Sequence, residues 1–367
     1  MLVNDSDFSE SDDDLEMLKA IIMDEELLDS HERLFLHYFA KSLVYPPELF
    51  RRRFQMKRSF FLRIQAAIEA HDPYFLQKRN CAGKLGLSSL QKITVALRML
   101  AYGVAANFMD EYVRIGESIS IESLKYFVKA IVDIFSNEYL RSPNSNDIAE
   151  LLAVGESRGF PWMLGSIDCM HWKWKGMYTG HIHERIIILE AVASYDLWIW
   201  HVFFGLPASR NDINMLERSF VFSKLAQGRA LAVNYTLNGN EYTMGYYLAN
   251  AQEATIKDIE RAFGVLQARF AIVRRSTCFW NTKMLKYIMK ACIILPNMIS
   301  EDEPDDNGVK DFNYDQIDDS PHVTVSQERT IELMEFIQCH RNIKDRQTDS
   351  HLQLNLVEHL WQLHNKS

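Results

Sequence analysis

The sequence predicts a mixed α/β fold in which an all-helical first half precedes a sheet with flanking helices. Three observations carry this expectation. Apolar residues recur at helical spacing from Glu32 to about Leu152, the period changes after Gly159 to apolar runs rich in Ile, Val and Trp, and helical spacing returns near Ile256. Strands followed and interleaved by helices describe a mixed sheet with helices packed on it.

In the first half, Phe60, Ile64, Ala67 and Ile68 mark one helix and Leu90, Ile93, Leu97 and Leu100 another. The second lies in SSLQKITVALRMLAYG, with a serine start and a glycine stop. A short connection leads to FMDEYVRIG and then to SIESLKYFVKAIVDIF, where Ser120 is the expected N-cap. Successive helices in a basic context permit a helix-turn-helix reading with Ile121 to Phe135 as the recognition helix, although any small helical bundle shows the same pattern.

In the second half, MLGSIDCMHWKWK, RIIILEAVASYD and LWIWHVFFGLP read as three strands in consecutive hairpins. DINMLERSFVFSKLAQG follows as a helix, then a strand around Tyr235 to Leu237. A long helix comes next, with Ile256, Ile259, Phe263, Leu266 and Phe270 on one face. QERTIELMEFIQCH and HLQLNLVEHLWQLH read as two C-terminal amphipathic helices. The expected organisation is an acidic tail over 1–30, a basic helical region over 31–155, a sheet domain over 156–300, an acidic linker over 301–322 and C-terminal helices over 323–367.

Charge is unevenly distributed along the 367 residues, whose net balance is -9. Residues 1–30 carry eleven acids against Lys19, a balance of -10 that suits a solvated tail. Residues 31–100 carry thirteen bases against four acids, a balance of +9, which suits a polyanion such as DNA or a set of solvated helix faces. The candidate nucleic-acid contacts are Arg51, Arg52, Arg53, Lys57 and Arg58, with Lys125 and Lys129 further on. Five cysteines without a C-x-x-C pair argue against a disulfide framework and suit a reducing compartment. The absence of an 18-residue apolar run argues against a membrane span, and no phosphate-binding glycine loop or nucleophile elbow is present.

Asp168 is the most informative acid, because an ionised carboxylate inside an apolar strand needs an opposite charge or a cation. On the long helix, Glu260 is placed at the edge of the apolar face and Asp258 is rotated away toward solvent. A carboxylate from a strand and another from a helix supply the hard oxygen ligands that a Mg²⁺ or Mn²⁺ phosphoryl-transfer site uses, or equally a buried ion pair with Arg261 or Arg269. Cys169, His171, His181 and His183 are weaker candidates for zinc, since Cys169 and His171 share the strand face opposite Asp168. Trp162, Trp172, Trp174, Trp198 and Trp200 are read as core or sheet surface.

The strings RGFPWMLGSIDCMHWKWK, IILEAVASYDLWIWHVFFG, SRNDINMLERS, VNYTLNGNEYTMGYYLA, KDIERAFGVLQARFAIVR and ACIILPNMISEDE, in this order, resemble the plant branch of the PIF/Harbinger transposase family. VYPPELFRRRFQMKRSFFLRI, EAHDPYF and LGLSSLQKITVALRMLAYG resemble it as well. The resemblance implies an RNase H-like DDE nuclease core behind a helical region, with divalent cations as cofactors and DNA as substrate. It also implies a nuclear location, shared with the cytoplasm when a Myb-like DNA-binding partner is missing.

Carried over by position, the first acid of the triad falls on Asp168 and the last on Glu260. Asn250 stands where the family's second aspartate is expected, and only ten residues separate it from Glu260. The loop between that strand and the glutamate helix is missing, a shorter gap joins WKWK to GMYTGHIHE, and Pro296 replaces the histidine of the family's LHN motif. Asp196 and Asp212 are the candidate substitutes for the lost carboxylate. The resulting expectation is a transposase-derived protein with an impaired metal site. The alternatives are an active endonuclease completed by a substitute carboxylate, and a non-enzymatic protein that binds DNA or a partner.

Overall fold

The computed structural model describes residues 30–40, 44–79, 81, 83, 85–104, 106, 115–174, 185–207, 232–249, 257–274, 281–302, 352, 354–359, 361 and 362. They form a mixed α/β protein with a small mixed sheet. Two compact units divide between Ile134 and Phe135.

The first unit contains α1 (residues 30–38), α2 (Pro47–Phe54), α3 (Arg58–His71), α4 (Ser89–Tyr102) and most of α5 (Glu117–Tyr139). Its core is aromatic and aliphatic, with Phe54, Phe60, Phe61, Ile64 and Ile68 fully buried. Phe50 stacks on Phe54 at 4.3 Å, and Phe61 meets the edge of Phe54 at 5.3 Å. The serine and glycine signals of α4 act as read. Ser88 is the N-cap of a capping box with Gln91, and Gly103 ends the helix at φ 58°, a left-handed geometry that glycine adopts without Cβ strain.

The expected cap at Ser120 is corrected. The helix begins at Glu117, so Ser120 lies inside its first turn, fully buried, and its Oγ donates to the Ile115 carbonyl at 3.3 Å. At 23 residues, α5 is also longer than the 15-residue recognition helix read from the sequence.

In the second unit, α6 (Ser145–Ser157) leads into β1 (Met163–Trp174), β2 (Arg185–Ala193) and β3 (Ile199–Pro207). After β4 (Ala232–Leu237), β5 (Asn240–Met244) and β6 (Tyr246–Ala249), helices α7 (Lys257–Arg269), α8 (Ala271–Arg274) and α9 (Thr282–Asp302) follow. The main sheet has the order β3-β2-β1-β6, antiparallel except for the parallel β1–β6 pair. β1 is therefore central, covered by α6 and α7, while α9 packs along β3. Gly165 sits at the irregularity where β1 meets β6. Its φ is +150°, and a Cβ there would stand 2.8 Å from the Ala193 carbonyl oxygen.

The three antiparallel strands agree with the sequence reading. The single strand expected near Tyr235 is instead the first arm of the hairpin β4–β5, turned at Asn238-Gly239 with φ values of 49° and 80°. This hairpin carries α10, whose described residues are 352, 354–359, 361 and 362. Leu356 packs with Leu237, Tyr242 and Tyr246, and Asn355 donates to the Tyr242 hydroxyl at 2.7 Å.

Helix α9 runs unbroken through Pro296 and takes in Glu301 and Asp302, the first two residues of the expected acidic linker. Asn297, next to that proline, is 1% exposed and ties three elements together. Its Oδ1 accepts from the Ile199 amide at 3.1 Å, and its Nδ2 donates to the carbonyls of Ile199 at 2.9 Å and Tyr139 at 2.8 Å. The expected helix at 212–228, the histidines at 181 and 183 and the expected helix at 327–340 lie outside the described residues. Among the described residues, no helix is long and apolar enough to cross a membrane.

Candidate functional site

β1 pairs with β2 without a register shift, and Asp168 lies opposite Ala191. Strict alternation then puts Asp168 on the same sheet face as Met170, whose buried side chain accepts from Gln267 Nε2 of α7 at 3.0 Å. Asp168 is therefore on the face that α7 covers, and it is half-buried there.

Glu260 sits in the first turn of α7, seven residues before Gln267. Seven residues are close to two helical turns, so the two side chains share one stripe, about 10 Å apart along the axis. Asp168 likewise lies two residues, about 7 Å, from Met170 along its strand. The Gln267–Met170 contact thus registers the Glu260 stripe of the helix against the Asp168 face of the sheet. Glu260 is exposed, which leaves its carboxylate open to an incoming cation or ligand.

The sequence reading of the neighbouring acid is overturned. Asp258 is 3% exposed rather than solvated, because Arg158 at the C-terminal cap of α6 reaches its Oδ2 at 2.5 Å. Arg261 stands further off, with Nη1 at 3.9 Å from Oδ1. Helical spacing alone put Asp258 outside, since it could not include a guanidinium supplied by a segment a hundred residues away. Asp258 is the buried, ion-paired acid of α7, and Glu260 is its open one.

β6 ends at Ala249, whose register partner is Ile167, the residue before Asp168. The chain thus leaves β6 beside Asp168, and Asn250, the next residue, lies outside the described residues. Of the two substitute carboxylates, Asp212 also lies outside them. Asp196 occupies the β2–β3 turn, where its Oδ1 accepts from the Ser194 hydroxyl and from the Trp198 amide at 3.2 Å. These are the bonds of a carboxylate that holds a turn. Among the described residues, no three His, Cys, Asp or Glu side chains converge on a point. Asp168 and Glu260 alone are a donor set too small for a pair of Mg²⁺ ions, each of which needs near-octahedral oxygen ligation.

The candidate nucleic-acid contacts divide by their surroundings. Arg53 is drawn inward, its guanidinium 5.6 Å from the Tyr38 ring and 4.9 Å from the Tyr45 ring, and it donates to the Tyr38 hydroxyl. Arg58 is half-buried and reaches the Ala40 carbonyl at 3.4 Å, while Arg51 is half-buried on α2. Arg52, Lys57, Lys125 and Lys129 are exposed. On α5, Lys125 and Lys129 are interleaved with exposed Glu122 and Asp133, which leaves that face without a net charge. The side chains of Cys169 and His171 lie outside the described residues. Trp198 and Trp200 form an aromatic group with Tyr139, and the Arg141 guanidinium lies 5.5 Å from the Trp200 ring.

Together these features define a mixed α/β protein with one acid on its central strand and another on the helix that crosses the same face. The model of the family described as plant transposon protein matches residues 137–251 and 249–307. This region, which holds the main sheet and both acids, is similar to the plant transposon protein family, and the match supports a transposase-derived protein. A domain of unknown function (DUF8418) matches residues 31–69, the stretch that contains most of α1 to α3. No curated protein and no solved structure matches.

Proposed function

We propose that the second unit is an RNase H-like DDE nuclease core that has lost its second metal-binding carboxylate, leaving a nucleic-acid-binding protein with little or no nuclease activity. The observation that carries this reading is the order β3-β2-β1-β6, with a parallel β1–β6 pair that brings the end of β6 beside Asp168. A carboxylate at the residue after Ala249 would complete a three-acid set with Asp168 and Glu260, and the chain has Asn250 there. An amide oxygen can ligate a cation but brings no negative charge. The family match also divides at 249–251, the junction where the sequence lacks a connecting loop.

When bound, divalent cations would supply charge for water activation and for the leaving oxygen. The residues present do not fit a pair of them. What the chain retains is the half-buried Asp168, the open Glu260 and the exposed cations of the first unit, a set that favours binding over cleavage. Nucleic acid, a nuclear location and a Myb-like partner belong to the same proposal, on the strength of the family resemblance.

The test is a DNA-nicking titration of the whole chain with Mg²⁺ and with Mn²⁺, using Asp168→Ala as control. The reading expects no metal-dependent nicking and DNA affinity that is unchanged or higher in the variant. Nicking that depends on metal and disappears in Asp168→Ala would show that another carboxylate has rebuilt the site.

A further inference from the structure

Two stretches of opposite charge adjoin at the start of α1. Residues 1–29 hold eleven acids and Lys19, and residues 31–100 hold thirteen bases and four acids. In the described part of that basic stretch, Arg33, Arg52, Lys57, Arg63, Lys78 and Arg79 are exposed. Beside the junction, α1 also presents Phe35 at 46% and Leu36 at 51% exposure. With His31 and Glu32 they form part of the wall of an open cavity of about 370 Å³. The acidic segment has apolar residues to offer it, since Leu15, Leu18 and Ile22 recur at helical spacing between acids.

We propose that residues 1–29 are an internal polyanion that occupies the basic face of their own first unit and competes with nucleic acid for it. This rests on the reading of that face as a nucleic-acid contact. Three physical arguments favour this occupant over a separate protein. The eleven acids of residues 1–29 are opposite in sign to the six exposed bases Arg33, Arg52, Lys57, Arg63, Lys78 and Arg79. A length of 29 residues suffices to reach about 30 Å, enough to cross a small helical unit. Covalent attachment at α1 gives the segment an effective concentration on the order of millimolar, so individually weak contacts suffice to keep the surface occupied. Nucleic acid then gains access by displacing a tethered competitor, and the exchange is governed by salt, because both complexes are held by charge.

The experiment compares the whole chain with a whole-chain variant carrying Asp5→Asn, Asp7→Asn, Glu10→Gln, Asp12→Asn, Asp13→Asn and Asp14→Asn. A fluorescent duplex is titrated with each at about 50 and about 300 mM salt, and a synthetic 1–29 peptide is then added to the variant. The expected result is about tenfold tighter DNA binding by the variant at low salt, convergence at high salt, and displacement of the duplex by the peptide. Equal DNA affinity of the two chains overturns the inference and leaves the nucleic-acid reading intact. If neither chain binds DNA but the peptide binds the variant in a salt-dependent way, the docking stands and the nucleic-acid reading fails. If neither duplex nor peptide binds, both are overturned.

Discussion

Arg158 Nη1 donates to Asp258 Oδ2 across 2.5 Å, joining the C-terminal cap of α6 to the first turn of the helix that carries Glu260. Asp258 is 3% exposed, so its charge is tolerated inside the second unit because a guanidinium meets it. The pair anchors the end of α7 at which Glu260 stands.

Removing the arginine strands a buried carboxylate. Arg158→Ala is expected to destabilise the protein by about 2–3 kcal/mol, less than for a fully buried pair because the Arg158 side chain remains 30% exposed. Replacing both partners by Leu is expected to cost less than Arg158→Ala alone. Urea unfolding midpoints of the single and double variants measure the difference.

Asn297 joins α9 to the ends of β3 and α5 through three hydrogen bonds in a buried setting. Asn297→Ala leaves the Ile199 amide and two carbonyls without that partner, at a cost of about 3–4 kcal/mol. The Ile199 amide should then exchange with solvent deuterium faster than in the native chain. Unchanged protection there would remove the bridging role.

The Arg141 guanidinium, hydrogen-bonded to Asp147 at the start of α6, holds that carboxyl below the ordinary value of 3.8. Because the folded-state pKa is depressed, this pair stabilises the fold above the unfolded value and stops doing so as pH falls through the lower folded one. Arg141→Ala is therefore expected to lower stability near neutrality and to flatten the dependence of stability on pH below about 4. Thermal melts between about pH 2 and 6 read both effects.

The three antiparallel strands were legible because each is an apolar run bounded by Gly, Asp or Pro, a pattern that local sequence carries fully. The hairpin β4–β5 was written just as plainly in Asn238-Gly239, the dipeptide that fits two positive φ values, yet the short arms read as one strand. Asp258 and Asn297 were not legible, because their partners Arg158 and Ile199 lie about a hundred residues away and burial at such positions depends on packing between distant elements. Asp168 stood out because a carboxylate in an apolar strand breaks the local pattern. Glu260 was placed correctly on α7 but with the wrong exposure relative to its neighbour, since an ion pair reversed what helical spacing alone implies.

If the proposed metal site is impaired for want of one carboxylate beside Asp168, restoring that carboxylate should restore metal binding, which calorimetric titration of Mn²⁺ into the native chain, Asn250→Asp and Asn250→Asp with Asp168→Asn measures. The expected result is weak binding by the native chain, an affinity gain of about tenfold or more in Asn250→Asp, and loss of that gain when Asp168 is also neutralised. Tight Mn²⁺ binding by the native chain, with nothing added by Asn250→Asp, would contradict it.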